Sequence, residues 1–275
     1  MSKKSFHPSR ITRLLVSAST LILAFGLGSC QTSGLSDITG SIGEKAEASR
    51  AADPRREVEL YQERYRANPK DVDAALKYGK ALRATGQRSQ AAAVLEQASI
   101  ANPGNKPLLA AYGRALADNG NFQQAFDVLG RAHSPDDPDW RLLSAQGATL
   151  DQLGRYEEAR QYYASALKIA PDHPSVLSNL GLSYVLSKDL RKAEETLRRA
   201  YSLAGTDPRV RANLALAVGL QGHFAEAEKI VKADLPADEA AANVAQLKRM
   251  LSRKDKENAR AEVEKMPIAA ARRAD

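Results

Sequence analysis

The stretch Ala145-Gln146-Gly147-Ala148-Thr149-Leu150, followed by Gly154 and Ala159, decides how this chain is read. Its small residues recur. Gly79, Gly113, Gly147, Gly181 and Ala215 stand 34 residues apart. Twelve residues after each come Ala91, Ala125, Ala159, Ala193 and Ala227. Between the two columns lie Gly86, Gly120, Gly154 and Gly222, with Lys188 in the fourth place. Three columns in phase through five units mark a repeat array. Each column has a physical reason. Small residues let two helix axes approach, where a larger side chain would force them apart. The mid-unit glycine supplies the left-handed residue that ends a helix. Leu82, Leu116, Leu150, Tyr184 and Val218 follow the first column by three residues, on the side that fills a core.

A 34-residue unit with these columns resembles the tetratricopeptide repeat, a helix–turn–helix. Leu76-Lys77-Tyr78-Gly79-Lys80-Ala81-Leu82 and Asn179-Leu180-Gly181-Leu182-Ser183-Tyr184 are two of its first-helix motifs here. The resemblance implies an all-α, right-handed superhelical solenoid of about five repeats, at 72–105, 106–139, 140–173, 174–207 and 208–241. Residues 54–71, ending in Asn68-Pro69, read as an N-terminal capping helix. Residues 242–275 read as a C-terminal capping helix and charged tail, with Ala242, Ala245, Leu247 and Leu251 as its buried face and fraying beyond Lys254. Pro103 and Pro171 stop second helices. Asp53-Pro54, Asp137-Pro138 and Asp207-Pro208 read as an N-cap followed by proline at the first helical position. Asp234 stands where Ala98, Ala132, Ala166 and Ala200 close the other repeats, so the fifth second helix is expected to end near Lys232–Leu235.

The first 29 residues read as an address. Lys3, Lys4, Arg10 and Arg13 precede an apolar run, Leu14 to Leu27, of about 14 residues, too short to span a bilayer comfortably. It ends in Leu27-Gly28-Ser29-Cys30, which resembles a bacterial lipobox. That resemblance implies cleavage before Cys30 and acylation of its thiol and new N-terminus, with the bilayer as a partner. Gln31 resembles the residue of lipoproteins sorted to the periplasmic face of the Gram-negative outer membrane. Two alternatives are an ordinary cleaved signal and an uncleaved anchor. Residues 30–53 are rich in Ser, Gly, Thr and Ala and read as a flexible tether reaching roughly 25 Å. A short helix near Ile42–Arg50 is the competing reading.

Charge first suggests nucleic acid: the chain carries 40 basic and 33 acidic residues, net +7. The leader holds 4 of those basic residues and no acid, and the segment from Ala242 onward holds 9 basic against 5 acidic. The repeat body is therefore close to neutral, and no nucleic-acid partner is expected. The chain has one Cys and four scattered His, which excludes a disulfide framework and argues against a metal centre. No catalytic constellation is present: no phosphate loop, no His-Glu-x-x-His, no nucleophile elbow. The pairs Glu157/Glu158 and Glu194/Glu195 read as solvated helix faces. No enzyme activity and no cofactor are expected, with a hydrolase of unrecognised site as the remote alternative.

Binding remains. In a repeat superhelix the first helices line a concave groove. Helical phase assigns to it Leu76, Lys80 and Arg83, then Arg114, then Ala148 and Asp151, then Leu182 and Val185, then Leu216. Such a groove is basic at its N-terminal end and apolar at its C-terminal end, and fits a peptide or amphipathic helix of a protein partner. The leader, the repeats and the run Ala237-Asp238-Glu239-Ala240-Ala241-Ala242-Asn243-Val244-Ala245-Gln246-Leu247 together resemble the TadD family of Flp/Tad pilus assembly lipoproteins. That resemblance implies a pilotin-like partner of the pilus secretin. An adaptor for outer-membrane protein insertion or for peptidoglycan hydrolases is the alternative.

Overall fold

A computed structural model describes residues 54–265, with side chains through residue 253. The leader 1–29, Cys30, the tether 30–53 and the end of the tail lie outside the described residues. Each repeat places two antiparallel helices side by side. α1 (Pro54–Ala67) precedes the pairs α2 (Val72–Ala84) and α3 (Arg88–Ala101), α4 (Lys106–Asp118) and α5 (Phe122–Arg131), and α6 (Trp140–Gln152) and α7 (Tyr156–Ile169). Two further pairs follow: α8 (Pro174–Leu186) with α9 (Leu190–Ala204), and α10 (Pro208–Leu220) with α11 (Phe224–Val231); α12 (Ala237–Lys265) closes the array. Each helix packs on its chain neighbours and each first helix on the next first helix, so the described residues form an all-helical solenoid.

The columns act as their chemistry requires. Gly79, Gly113 and Gly147 face Leu95, Leu129 and Tyr163 of the partner helix, and an added Cβ would come within 2.7, 2.6 and 2.8 Å of those side chains. Gly181 meets Leu197 in the same way. A large side chain sixteen residues downstream thus fills the space that each glycine leaves, and all four are buried. The alanine column is sealed from solvent, Ala91, Ala125, Ala159 and Ala193 at 0 %. Tyr184 departs from its column. It is half-buried, its ring lying 5.1 Å from the Arg160 guanidinium and 5.6 Å from the Lys192 ammonium.

A further column becomes visible at the helix starts. Asp71, Asn105, Asp139, His173 and Asp207 are the N-caps of the first helices, 34 residues apart. Asp71 accepts from the Asp73 and Ala74 amides, Asn105 from Leu108, Asp139 from Arg141 and Asp207 from Arg209. The Asp207-Pro208 expectation agrees with this geometry. Asp137-Pro138 does not cap: Ser134 and Asp137 pair across a turn, and the helix starts two residues later, after Asp139. Asp53 lies outside the described residues.

Gly86, Gly120, Gly154 and Gly222 have φ between +75° and +87°, and Lys188 is forced to φ +65° at the same place. A side chain there costs about 1–2 kcal/mol against glycine. Lys188→Gly is therefore expected to raise stability by up to about 1 kcal/mol after the added freedom of the unfolded chain is subtracted. Thermal unfolding checks this, and an unchanged or lower Tm would count against the strain.

The last repeat is closed by two devices. α11 ends at Val231, and Asp234 accepts a bidentate pair from Arg211, whose other nitrogen donates to the Gly205 carbonyl at 2.5 Å. α12 then covers the apolar end, with Leu247 where a Cβ on Gly219 would come within 2.6 Å of it. Its buried face differs from the expected one. Ala240, Val244 and Leu247 are buried and Leu251 half-buried, while Ala242 and Ala245 are exposed. The interval of 4, 3 and 4 residues keeps one stripe on α10 and α11, and Ala242 and Ala245 fall off it. The helix also continues past Lys254 to Lys265, because this segment is made of good helix formers.

Candidate functional site

The first-helix face contains both open and sequestered residues. Lys80 is exposed, and Leu76, Arg83, Arg114, Ala148, Leu182 and Leu216 are half-buried. Asp151 and Val185, expected to line the groove, are instead 7 % and 8 % exposed. Val185 packs in the apolar cluster of Leu197, Leu214 and Val218. Asp151 turns inward because the glycine opposite in its repeat faces a tyrosine. Tyr163 takes the place of Leu95 and Leu129, and its buried hydroxyl donates to Asp151 Oδ2 at 2.8 Å. Ser183 of the next repeat donates to Asp151 Oδ1 at 2.6 Å. Asp151 therefore joins two repeats, and is not a ligand contact.

Burial pushes the Asp151 carboxyl up from 3.8 to about 6, against the opposing pull of the Ser183 and Tyr163 hydrogen bonds and the Arg160 charge. A carboxyl raised on folding contributes stability that is fully present below its unfolded pKa. That stability is lost as pH rises through about 6, and amounts to about 3 kcal/mol. The parent is thus expected to gain stability relative to Asp151→Asn as pH falls from 7.5 toward 4. Parallel profiles of Tm against pH for the two proteins would contradict this.

Adjacent first helices are tied by a polar ladder. Arg83 pairs with Asp118, whose side chain is 2 % exposed. Asn179 donates to Ser144 at 3.1 Å and Asn213 to Ser178 at 2.9 Å. Each rung spans 35 residues, one more than the period, so it reaches the next residue along on the neighbouring first helix. Sequence reasoning singled out Arg83 as a groove residue and missed its partner Asp118. The signal was available in the offset of one from the repeat length.

Arg114 sits differently. Burial, then the neighbouring Arg83, lower its pKa; Asp139 raises it, Arg141 lowers it further, and Asp118 raises it. It has no hydrogen-bond or ion-pair partner among the described residues. Asp118 is taken by Arg83, and Asp139 by Arg141 at 3.8 Å and by the Arg141 amide at 2.7 Å.

Among the described residues no group of three or more His, Cys, Asp or Glu side chains is placed to hold a metal ion. No helix there is long and apolar enough to cross a membrane.

Stacked helix pairs with a ladder of polar and basic side chains along the first helices define a helical-repeat protein-interaction scaffold. Tetratricopeptide-repeat family models match residues 82–147, 141–206 and 208–231, more than half of the chain in total. The chain belongs to the tetratricopeptide-repeat proteins. No curated protein matches it. Among solved structures it is similar to PilW, a widely conserved type IV pilus biogenesis factor, at TM-score 0.60 and 19 % identity over 70 % of this chain and 91 % of that one. It is similar to Pseudomonas aeruginosa PilF at TM-score 0.51 and 22 % identity, covering 65 % and 90 %. It also resembles the repeat chain of the APC/C hetero-tetramer Cut9–Hcn1, at TM-score 0.57 and 18 % identity over 72 % of this chain, of which it spans only 40 %. At these identities the likeness is one of fold.

Proposed function

We propose that this chain is a lipid-anchored envelope scaffold of the TadD type that assists assembly of the Flp/Tad pilus. It acts as a pilotin: Cys30, acylated, holds it on the periplasmic face of the outer membrane, and the repeats engage the pilus secretin. The observation that carries the reading is the lone cysteine of the chain, placed at Leu27-Gly28-Ser29-Cys30 ahead of a repeat scaffold. Several acyl chains anchor stably where one does not. The fold shared with PilW and PilF, whose structures are described as a type IV pilus biogenesis factor and as PilF, is compatible with it. The run from Ala237 to Leu247, seated on a shortened fifth repeat, is the further resemblance to TadD.

The test is recovery of partners from detergent-solubilised envelopes on the tagged full-length protein. The secretin is expected among them. Its absence, with components of outer-membrane protein insertion or peptidoglycan hydrolases in its place, would overturn the pilus reading in favour of an adaptor.

A further inference from the structure

We propose that the first-helix face of the first three repeats binds an acidic segment of a protein partner, with Arg114 as the central ion-pair donor and Lys80 and Arg141 beside it. The proposal rests on the scaffold reading above and adds the chemistry of what the scaffold holds.

Charge accounting supports it. Arg83, Arg114 and Arg141 face two carboxylates, Asp118 and Asp139, and both are engaged by the other two arginines. Arg114 is left as an unmatched guanidinium in a half-buried position, where water screens it less than at an open surface. A guanidinium does not escape by losing its proton at neutral pH. The arrangement is therefore electrostatically unsatisfied until an anion arrives. A planar fork of donors suits the carboxylate of an aspartate or glutamate. Lys80 occupies the same register position one repeat earlier and is exposed, which extends the positive strip along the first helices.

A peptide, in preference to a free anion, fits the continuation of that strip. The column that begins with Lys80 and Arg114 continues through Ala148 to Leu182 and Leu216, which are half-buried and apolar. An acidic segment followed by apolar side chains would match charge at one end and burial at the other. Arg83 is a positioning residue here. By occupying Asp118 it keeps that carboxylate from neutralising Arg114.

The test uses the full-length protein in detergent and a short fluorescent peptide alternating glutamate and alanine, with a lysine–alanine peptide as control. The parent is expected to bind the glutamate peptide saturably, more weakly as sodium chloride is added, and not the lysine peptide. Arg114→Gln is expected to weaken binding about tenfold or more, and Lys80→Glu to weaken it as well. Lys80 is exposed, so its variant decides the matter if the Arg114 variant fails to fold. Absence of saturable binding by the parent, equal affinity in the folded variants, or equal binding of the lysine peptide would overturn the proposal. Partner recovery separates the two readings. A secretin recovered equally by the parent and by both variants refutes the basic site and leaves the scaffold reading standing. A glutamate peptide bound through Arg114, with no secretin recovered, does the reverse.

Discussion

Gly147→Leu is expected to lower the Tm by about 10 °C. A Cβ at this position would lie 2.8 Å from Tyr163 Cε1 and 3.1 Å from the Ala159 carbonyl oxygen. The second neighbour is backbone, so it cannot swing aside. Tyr163 is held too: it is 1 % exposed and its hydroxyl is bonded to Asp151. The helix pair α6–α7 must then separate, losing contacts along its whole seam and the Tyr163–Asp151–Ser183 link to the next repeat. Overpacking of this kind costs about 3 kcal/mol, and about 1 kcal/mol shifts Tm by some 2–4 °C in an array of this length. Gly130→Ala provides the contrast. Gly130 is exposed within α5, and its Cβ would meet only the Gln146 Nε2 at 3.2 Å, so its Tm should stay near that of the parent. Calorimetry on the three proteins checks both. A Gly147→Leu protein melting with the parent would mean that the α6–α7 seam is looser than described.

Cys30→Ser is expected to release the protein from membranes almost completely. A serine hydroxyl cannot take the place of the thiol in forming the thioether, and the acylated N-terminus produced after cleavage is lost with it. Each buried methylene of an acyl chain contributes about 0.8 kcal/mol, so removing all chains removes the whole anchor. The measurements are fatty-acid labelling and membrane fractionation of cells producing the parent or the variant. Unchanged labelling, or unchanged membrane recovery of the Cys30→Ser protein, would sink the anchor. The repeats should be unaffected, since no described residue depends on Cys30 for its contacts.

The repeat architecture was legible because its determinants are local and periodic. A glycine that must lie against a second helix twelve residues before an alanine, and a left-handed residue between them, leave the same mark in every unit. Lys188 was recognisable as an exception, and the structure places it at φ +65°. The shortened fifth repeat was legible through Asp234. The N-cap column was equally periodic, yet three prolines after aspartates drew the reading toward Asp137 and away from Asp139.

The binding face was only partly legible. Helical phase states which side of a helix a residue occupies. It does not state how closely the neighbouring repeat covers that side. Asp151 and Lys80 share the groove side by phase, but Tyr163 and Ser183 draw the first into the core while the second stays in solvent. Arg83 and Arg114 read alike in the sequence, one turn apart in the repeat frame. Only packing of α2 against α4 gives Asp118 to Arg83 and leaves Arg114 without a partner. The stripe of α12 likewise shifted once α10 and α11 were in place, with Leu247 set over Gly219. The sequence by itself determined the unit, its count and its seams, because each rests on contacts within 34 residues. Tertiary structure decided which charges remain available, because that depends on side chains one repeat away competing for the same guanidinium or carboxylate.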